Sequence, residues 1–272
     1  MPITPSGFAD FEDTDESFEA IGLLRFLDRA EELDFFREVR RRSFESLAVG
    51  PGDSVLSVGC GTGRDVRELA GLVGAGGRVV GVDRSEFLLR KARERAAGLP
   101  QVSFVRSDAG RLDFPDAGFD ACRSERVFMY LNDRHQAFAE LLRVARPGAR
   151  ISMFDADMEG WMIDSPDRAT TRRVMNFWCD GIADGWMGRR WAGLFREFGL
   201  ADITVEPMTL VVDDFDLVAD VFLLRRTLGQ AVDQGVLELD EARRWLADLE
   251  ARGRAGRFFF ATTNLLVSGR KP

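Results

Sequence analysis

Three glycines at alternate positions, Gly59, Gly61 and Gly63, follow an apolar run of Val55, Leu56 and Val58. Glycines so placed let a chain leave a buried strand, turn sharply and lie against a ligand with no Cβ between them. A helix expected from about Asp65 would then turn its unpaired N–H groups towards that ligand. Residues 59–65, with Cys60, Thr62 and Asp65 among the glycines, therefore suit a nucleotide-like cofactor. A dinucleotide fingerprint needs Gly-x-Gly-x-x-Gly. Counted from Gly59, its third glycine would fall on Arg64; counted from Gly61, on Val66. Neither frame fits, which disfavours a nicotinamide oxidoreductase. Two carboxylates then fall at the ends of the next predicted strands. Asp83 closes Arg-Val-Val-Gly-Val-Asp (78–83), 20 residues past Gly63, and Asp108 closes Val-Ser-Phe-Val-Arg-Ser-Asp (102–108). The first can hold a ribose diol and the second an exocyclic amine of a purine.

Strands are expected near 54–58, 78–82, 102–105, 118–122 and 149–154, with helices near 65–73, 86–97 and 133–145, so that a parallel sheet carries helices on both faces. In such sheets ligands bind beyond the carboxyl ends of the strands. Arg123–Arg126 and Asp155 are expected at that rim with the glycine turn, Asp83 and Asp108. Further strands are expected over 201–212 and 257–269. Residues 158–198 and 213–256 read as helical additions rich in tryptophan, phenylalanine and methionine. Those side chains serve either as the additions' own core or as an apolar substrate pocket.

The glycine turn, residues 79–90, 107–120 (Ser-Asp-Ala-Gly-Arg-Leu-Asp-Phe-Pro-Asp-Ala-Gly-Phe-Asp), 140–151 (Glu-Leu-Leu-Arg-Val-Ala-Arg-Pro-Gly-Ala-Arg-Ile) and 194–207 stand in an order that resembles class I S-adenosylmethionine-dependent methyltransferases. The resemblance is nearest the ubiquinone/menaquinone-biosynthesis-like branch that acts on small molecules. It implies an α/β fold: a doubly wound, mostly parallel seven-stranded sheet with an antiparallel strand at its edge. Residues 1–50 would form a helical lid and residues 51–272 the cofactor domain with its cap insertions. The cofactor would be S-adenosylmethionine, leaving S-adenosylhomocysteine as product. Arg84 and Ala109, beside the two strand-end carboxylates, and Ser124 and Glu125, after strand four, complete the cofactor residues implied. One departure is Ser57, where relatives usually carry an acid that orients the glycine loop and the amino-acid end of the cofactor. That serine supports an alternative reading, a methyltransferase-like enzyme that cyclises or rearranges its substrate without methylating it.

The sulfonium of such a cofactor makes its methyl group electrophilic, so the protein's main task is to align an acceptor and exclude water. A base is needed only where the acceptor loses a proton. Glu125, Asp155 and His135, the only histidine, are equal candidates. Tyr130 and Asp157 are expected to face the substrate with Phe18, Trp161, Trp178 and Trp186. Attack by oxygen or carbon is favoured over nitrogen, because Arg-Ser-Glu-Arg stands where amino-directed relatives carry Asn/Asp-Pro-Pro-aromatic.

The chain has 272 residues, 45% hydrophobic and 30% charged, enough for a full core. A net charge of −8 argues against a nucleic-acid partner. No leader or membrane span is expected, and three widely spaced cysteines suggest neither a metal site nor a disulfide frame. The expected setting is the cytoplasm, with a small-molecule substrate and a monomer or homodimer.

Overall fold

The computed structural model describes Leu24, residues 27–30 and residues 33–272. Five parallel strands begin the sheet: β1 (Ser54–Val58), β2 (Arg78–Asp83), β3 (Val102–Arg106), β4 (Phe119–Glu125) and β5 (Ala145–Ala156). β1, β2 and β4 each lead towards a helix that crosses over to a parallel neighbour or returns to the sheet, whereas β3 reaches β4 through the helix-free stretch 107–118. The helices are α1 (Asp34–Leu47), α2 (Arg64–Val73), α3 (Glu86–Arg95) and α4 (Arg134–Val144). Ser85 caps α3 and Asp133 caps α4, each side chain accepting from an N–H of the first turn. Helix α4 ends at Val144, and Arg146-Pro147-Gly148 forms a bulge within β5, between Ala145 opposite Phe119 and Arg150 opposite Ala121.

The remaining elements are the two-residue β6 (Met162–Ile163), α5 (Arg168–Asp180), α6 (Met187–Glu197), β7 (Ala201–Val212), α7 (Phe215–Val221), α8 (Leu224–Asp233), α9 (Leu239–Arg254) and β8 (Phe260–Arg270). The sheet order is β3-β2-β1-β4-β5-β8, and β7 and β6 also pair with β8. Strand β8 runs antiparallel to β5 and to β7, so it is enclosed and β7 lies outside it. The small β6 extends the sheet to eight strands, meeting β8 at Ala261 and Phe260, past the residues paired with β5.

Alternation along the strands sends side chains to two cores. On one face Val55, Val79 and Ala121 pack under Leu47 of α1 and Val66, Leu69 and Val73 of α2. Phe36 and Val39 of α1 cover Phe154 and Leu266 on the same face. On the other, Leu56, Val58, Cys122, Ile151 and Met153 meet Phe138 of α4 and Trp191 and Phe195 of α6. Phe138 is edge-on to Trp191 and stacked on Phe195, and both tryptophan and phenylalanine are fully buried. Across the first face runs a row of polar partners in register, Ser57, Arg123, Ser152 and Ser268.

Candidate functional site

The glycine turn leaves β1 at the carboxyl end of the sheet. Gly59, Gly61 and Gly63 have φ of +70°, +52° and +74°. The N–H groups of Gly59 and Cys60 both donate to the Val82 carbonyl, at 2.8 and 2.9 Å. At Gly59 a Cβ would lie 2.1 Å from Val127 Cγ2, and at Gly63 it would lie 2.7 Å from Phe104 and 2.9 Å from Ala92. Gly63 thus does here what the third glycine of a dinucleotide fingerprint does, letting helix and strand approach closely. Among the described residues a Cβ on Gly61 would find only Leu27, at 3.7 Å, because this residue faces a cavity.

That cavity has a volume of about 520 Å3 and extends from the glycine turn to the cap helices. At its first end Gly59, Gly61, Asp83, Asp108 and Glu125 form the wall. Asp83 Oδ2 accepts from the Gly61 N–H at 2.9 Å and Oδ1 from the Ser85 N–H at 3.0 Å. Burial raises the pKa of this carboxyl, and the two N–H groups oppose the rise. Asp108 accepts from the Gly110 N–H at 2.6 Å. Burial works against the charge of Glu125, but the guanidinium groups of Arg126 and Arg123 outweigh it and hold the carboxyl below its ordinary range. Arg126 is itself in the left-handed region, φ +55°, and its guanidinium lies 4.2 Å from the ring centre of Phe36.

Beneath this wall Arg123 is fully buried. Its guanidinium donates to Asp65, to Glu125 at 2.8 Å and to Ser43 Oγ at 3.2 Å. The register sets Arg123 beside Ser57 on β1. The acid expected at position 57 is therefore absent from a place where an arginine already takes two carboxylates, Asp65 from α2 and Glu125 from its own strand.

The second end of the cavity is mostly apolar. Trp161 packs edge-on against Trp178, Phe222 and Phe260, with centroids 5.1 to 5.6 Å apart. Trp161, Trp178, Phe177 and Phe222 line the space, as do Tyr130 and Met158.

Of the residues singled out from sequence, Gly59, Gly61, Asp83, Arg84, Asp108, Ala109, Glu125, Tyr130, Trp161 and Trp178 line this one cavity. The others are placed elsewhere. Cys60 lies against Gly81, where a Cβ would be 2.8 Å from its Sγ. Thr62 is buried, Asp65 pairs with Arg123, and Ser124 Oγ donates to the Val58 carbonyl at 2.9 Å. His135 stands half-exposed on α4, 3.5 Å from Glu197, away from the cavity lining. The fully buried Asp155 lies on the other face of the sheet, where Oδ2 accepts from Trp191 Nε1 at 2.9 Å and Oδ1 from the Met129 N–H at 3.4 Å. Burial pushes its pKa up to about 7 against these hydrogen bonds. Asp157 is clamped by Arg189, whose Nη2 donates to Oδ1 at 2.5 Å. Trp186 is 41% exposed and lies under the guanidinium groups of Arg189 and Arg190. Phe18 falls outside the described residues. Strand periodicity alone could not separate Asp155 from Ala156, one facing the core and the other the cavity.

Known proteins share both the sequence and the architecture. The family model described as a methyltransferase domain matches residues 55–148, from the glycine turn into β5. Over 243 residues the chain is 36% identical to an uncharacterized 37.1 kDa protein in transposon TN4556 of Streptomyces fradiae, covering 89% of this chain and 69% of that one. The chain belongs to the class I S-adenosylmethionine-dependent methyltransferases. Another relative of this methyltransferase is the 2-phytyl-1,4-naphtoquinone methyltransferase of Synechococcus elongatus, 38% identical over 119 residues; the match covers 43% of this chain and about half, 51%, of that one. The YcgJ protein from Bacillus subtilis has the same fold, with a TM-score of 0.61 and 18% identity over 86% of this chain and 98% of its own. The cofactor of the family is S-adenosylmethionine, and the first end of the cavity suits it: backbone without a side chain at Gly61, and acids at the tips of β2 and β3.

Proposed function

We propose that this methyltransferase moves a methyl group from S-adenosylmethionine to an oxygen or carbon of a small, largely apolar or aromatic metabolite. The observation that carries the reading is the continuity of one cavity, from Gly61 and Asp83 to the aromatic wall of Trp161, Trp178 and Phe222. When bound, the cofactor supplies an electrophilic methyl group on a sulfonium. On this reading Asp83 accepts from the ribose hydroxyls and Asp108 from the purine amine, each a charge-assisted contact. Glu125, held ionised by Arg123 and Arg126, offers its negative charge to the cationic end of the cofactor. The same low pKa makes Glu125 a weak general base near neutrality, and burial pushes the Tyr130 hydroxyl up to about 12. The chain's contribution is therefore to align the acceptor and exclude water. Acceptors that give up a proton readily, such as phenols, suit this arrangement.

Cyclisation or rearrangement without methylation has less support, since its sequence hint, Ser57, is accounted for by the neighbouring Arg123. On the proposed reading the enzyme works in the cytoplasm on a diffusible acceptor, as a monomer or homodimer and without a nucleic-acid partner. The net charge of −8 supports this, and among the described residues no helix is long and apolar enough to cross a membrane. The test is incubation with S-adenosylmethionine and a panel of phenols and quinols, followed by mass analysis. A product heavier by one methylene, with equimolar S-adenosylhomocysteine, is expected. A product of unchanged mass, or no S-adenosylhomocysteine across the panel, would overturn the proposal.

A further inference from the structure

The acceptor end carries polar residues from the cap, Asp180, Arg226, Thr227, Gln230 and Gln234, and two more from the sheet, Thr262 and Asn264. Thr262 and Asn264 lie two apart on β8, so both point to the same face of the sheet, beside Leu210 and Met208 of β7. Both line the cavity, although they are only 1% and 5% exposed. Strand β8 is enclosed by neighbours on both sides, and hydroxyl and amide groups at such a depth are normally matched.

Here the matching is half complete. Asn264 Nδ2 donates to Thr262 Oγ1 at 3.0 Å and to the Met208 carbonyl at 3.4 Å. The Met208 carbonyl only accepts, which fixes the orientation of the amide and leaves Oδ1 on the other side. Among the described residues nothing donates to Asn264 Oδ1, and the Thr262 hydroxyl, which accepts from the amide, donates to nothing. The pair therefore presents one acceptor and one donor, side by side. A hydroxyl is the small group that answers both, giving its proton to Asn264 Oδ1 and accepting from Thr262 Oγ1. A methyl or an ether answers at most one of them.

We infer that Thr262 and Asn264 form a specificity station that selects acceptors carrying a free hydroxyl on an aromatic or similarly flat apolar body. The flat body lies against Trp161, Trp178 and Phe222. The register places the station away from Glu125, two strands across and two residues along, on the order of 12 Å. The hydroxyl held at the station is thus a recognition group, distinct from the atom that takes the methyl. This inference rests on the proposed methyl-transfer reading for what happens at the other end of the cavity, and its test is a binding measurement that stands apart from it.

The test compares wild type with the double variant Thr262→Val, Asn264→Leu, both nearly isosteric and apolar. Equilibrium dialysis against 2-naphthol and 2-methylnaphthalene is done with each protein, and S-adenosylhomocysteine affinity and Tm are measured separately. Wild type is expected to hold 2-naphthol at least about tenfold more tightly than 2-methylnaphthalene, because a site built for a hydroxyl leaves its own polar groups unmatched by the analogue lacking one. In the variant the preference should fall to within about twofold, with Tm unchanged or raised, since apolar groups replace incompletely matched polar ones. Equal binding of the two probes by wild type, or a preference that survives in the variant, overturns the inference. So does a fall in Tm with the preference intact, which marks the pair as structural. Absence of S-adenosylhomocysteine binding in wild type would count against the methyl-transfer reading and leave the probe comparison to decide the station.

Discussion

Replacing Asp155 by Asn should remove a specific component of the pH dependence of stability. The carboxylate is fully buried between Trp191 and the Met129 N–H, and burial lifts its pKa from an ordinary 3.8 to about 7. The hydrogen bonds from Trp191, Met129 and Val127 and the charge of Arg126 hold the rise back. A carboxyl with a raised pKa in the folded chain contributes most when protonated. Its contribution is complete below about pH 4 and is lost as pH climbs through 7, about 4 kcal/mol in all. Between pH 5 and pH 8 the loss is about 2–3 kcal/mol. Asn keeps the size of the side chain and cannot ionise. Urea unfolding followed by tryptophan fluorescence, at unit steps from pH 5 to pH 8, should show the variant gaining on wild type by that amount as pH rises. A stability difference that stays flat over this range would refute the assignment of the buried charge. The variant should also keep its affinity for S-adenosylhomocysteine at pH 6, since Asp155 holds the loop carrying Val127 and Met129 and does not line the cavity. A flat stability difference together with lost turnover would instead return Asp155 to the role of base.

Asp83→Ala should weaken S-adenosylhomocysteine binding by roughly 2–3 kcal/mol through loss of a charge-assisted contact, read by calorimetry; an unchanged Kd would remove Asp83 from the site. Gly61→Val should lose some stability, since a β-branched residue is strained at φ +52°, and fail to bind, its side chain entering the cavity; retained affinity would contradict the proposed position of the cofactor. Gly63→Ala should act on stability instead, by about 3 kcal/mol, since the added methyl meets Phe104 and Ala92 in a left-handed backbone; chemical denaturation would measure it, and wild-type stability would exclude the close packing described. Arg123→Met should destabilise by about 3–5 kcal/mol by leaving Asp65 and Glu125 without their shared cation, and a stable variant would show that the network is dispensable.

That the glycine turn and the strand-end acids would meet in one cavity was legible because the signals are local: glycines whose backbone turns need them, and acids that close short apolar runs. The strands came out within a few residues for the same reason. The acceptor end was less so. Trp161 and Trp178 were found by bulk alone, which also pointed to Trp186, a residue that sits outside under two arginines. His135 and Asp155 have the right chemistry and the wrong direction, and one residue of strand register separates Asp155 from the cavity-facing Ala156. Arg126 carries no sequence mark of its left-handed backbone. Asn264 and Thr262 did leave one, a polar break in the apolar run of β8, but its meaning depends on which strands flank it.

The two ends of the cavity draw on different stretches of chain. The groups proposed to hold the cofactor lie between Gly59 and Arg126, whereas the aromatic wall and the polar pair come from Trp161 to Asn264. The family match stops at residue 148, just before that second stretch. Recombination at the β5 boundary could thus exchange one acceptor preference for another and leave the donor half as it was, so that a lineage can change what it modifies while keeping how it does so.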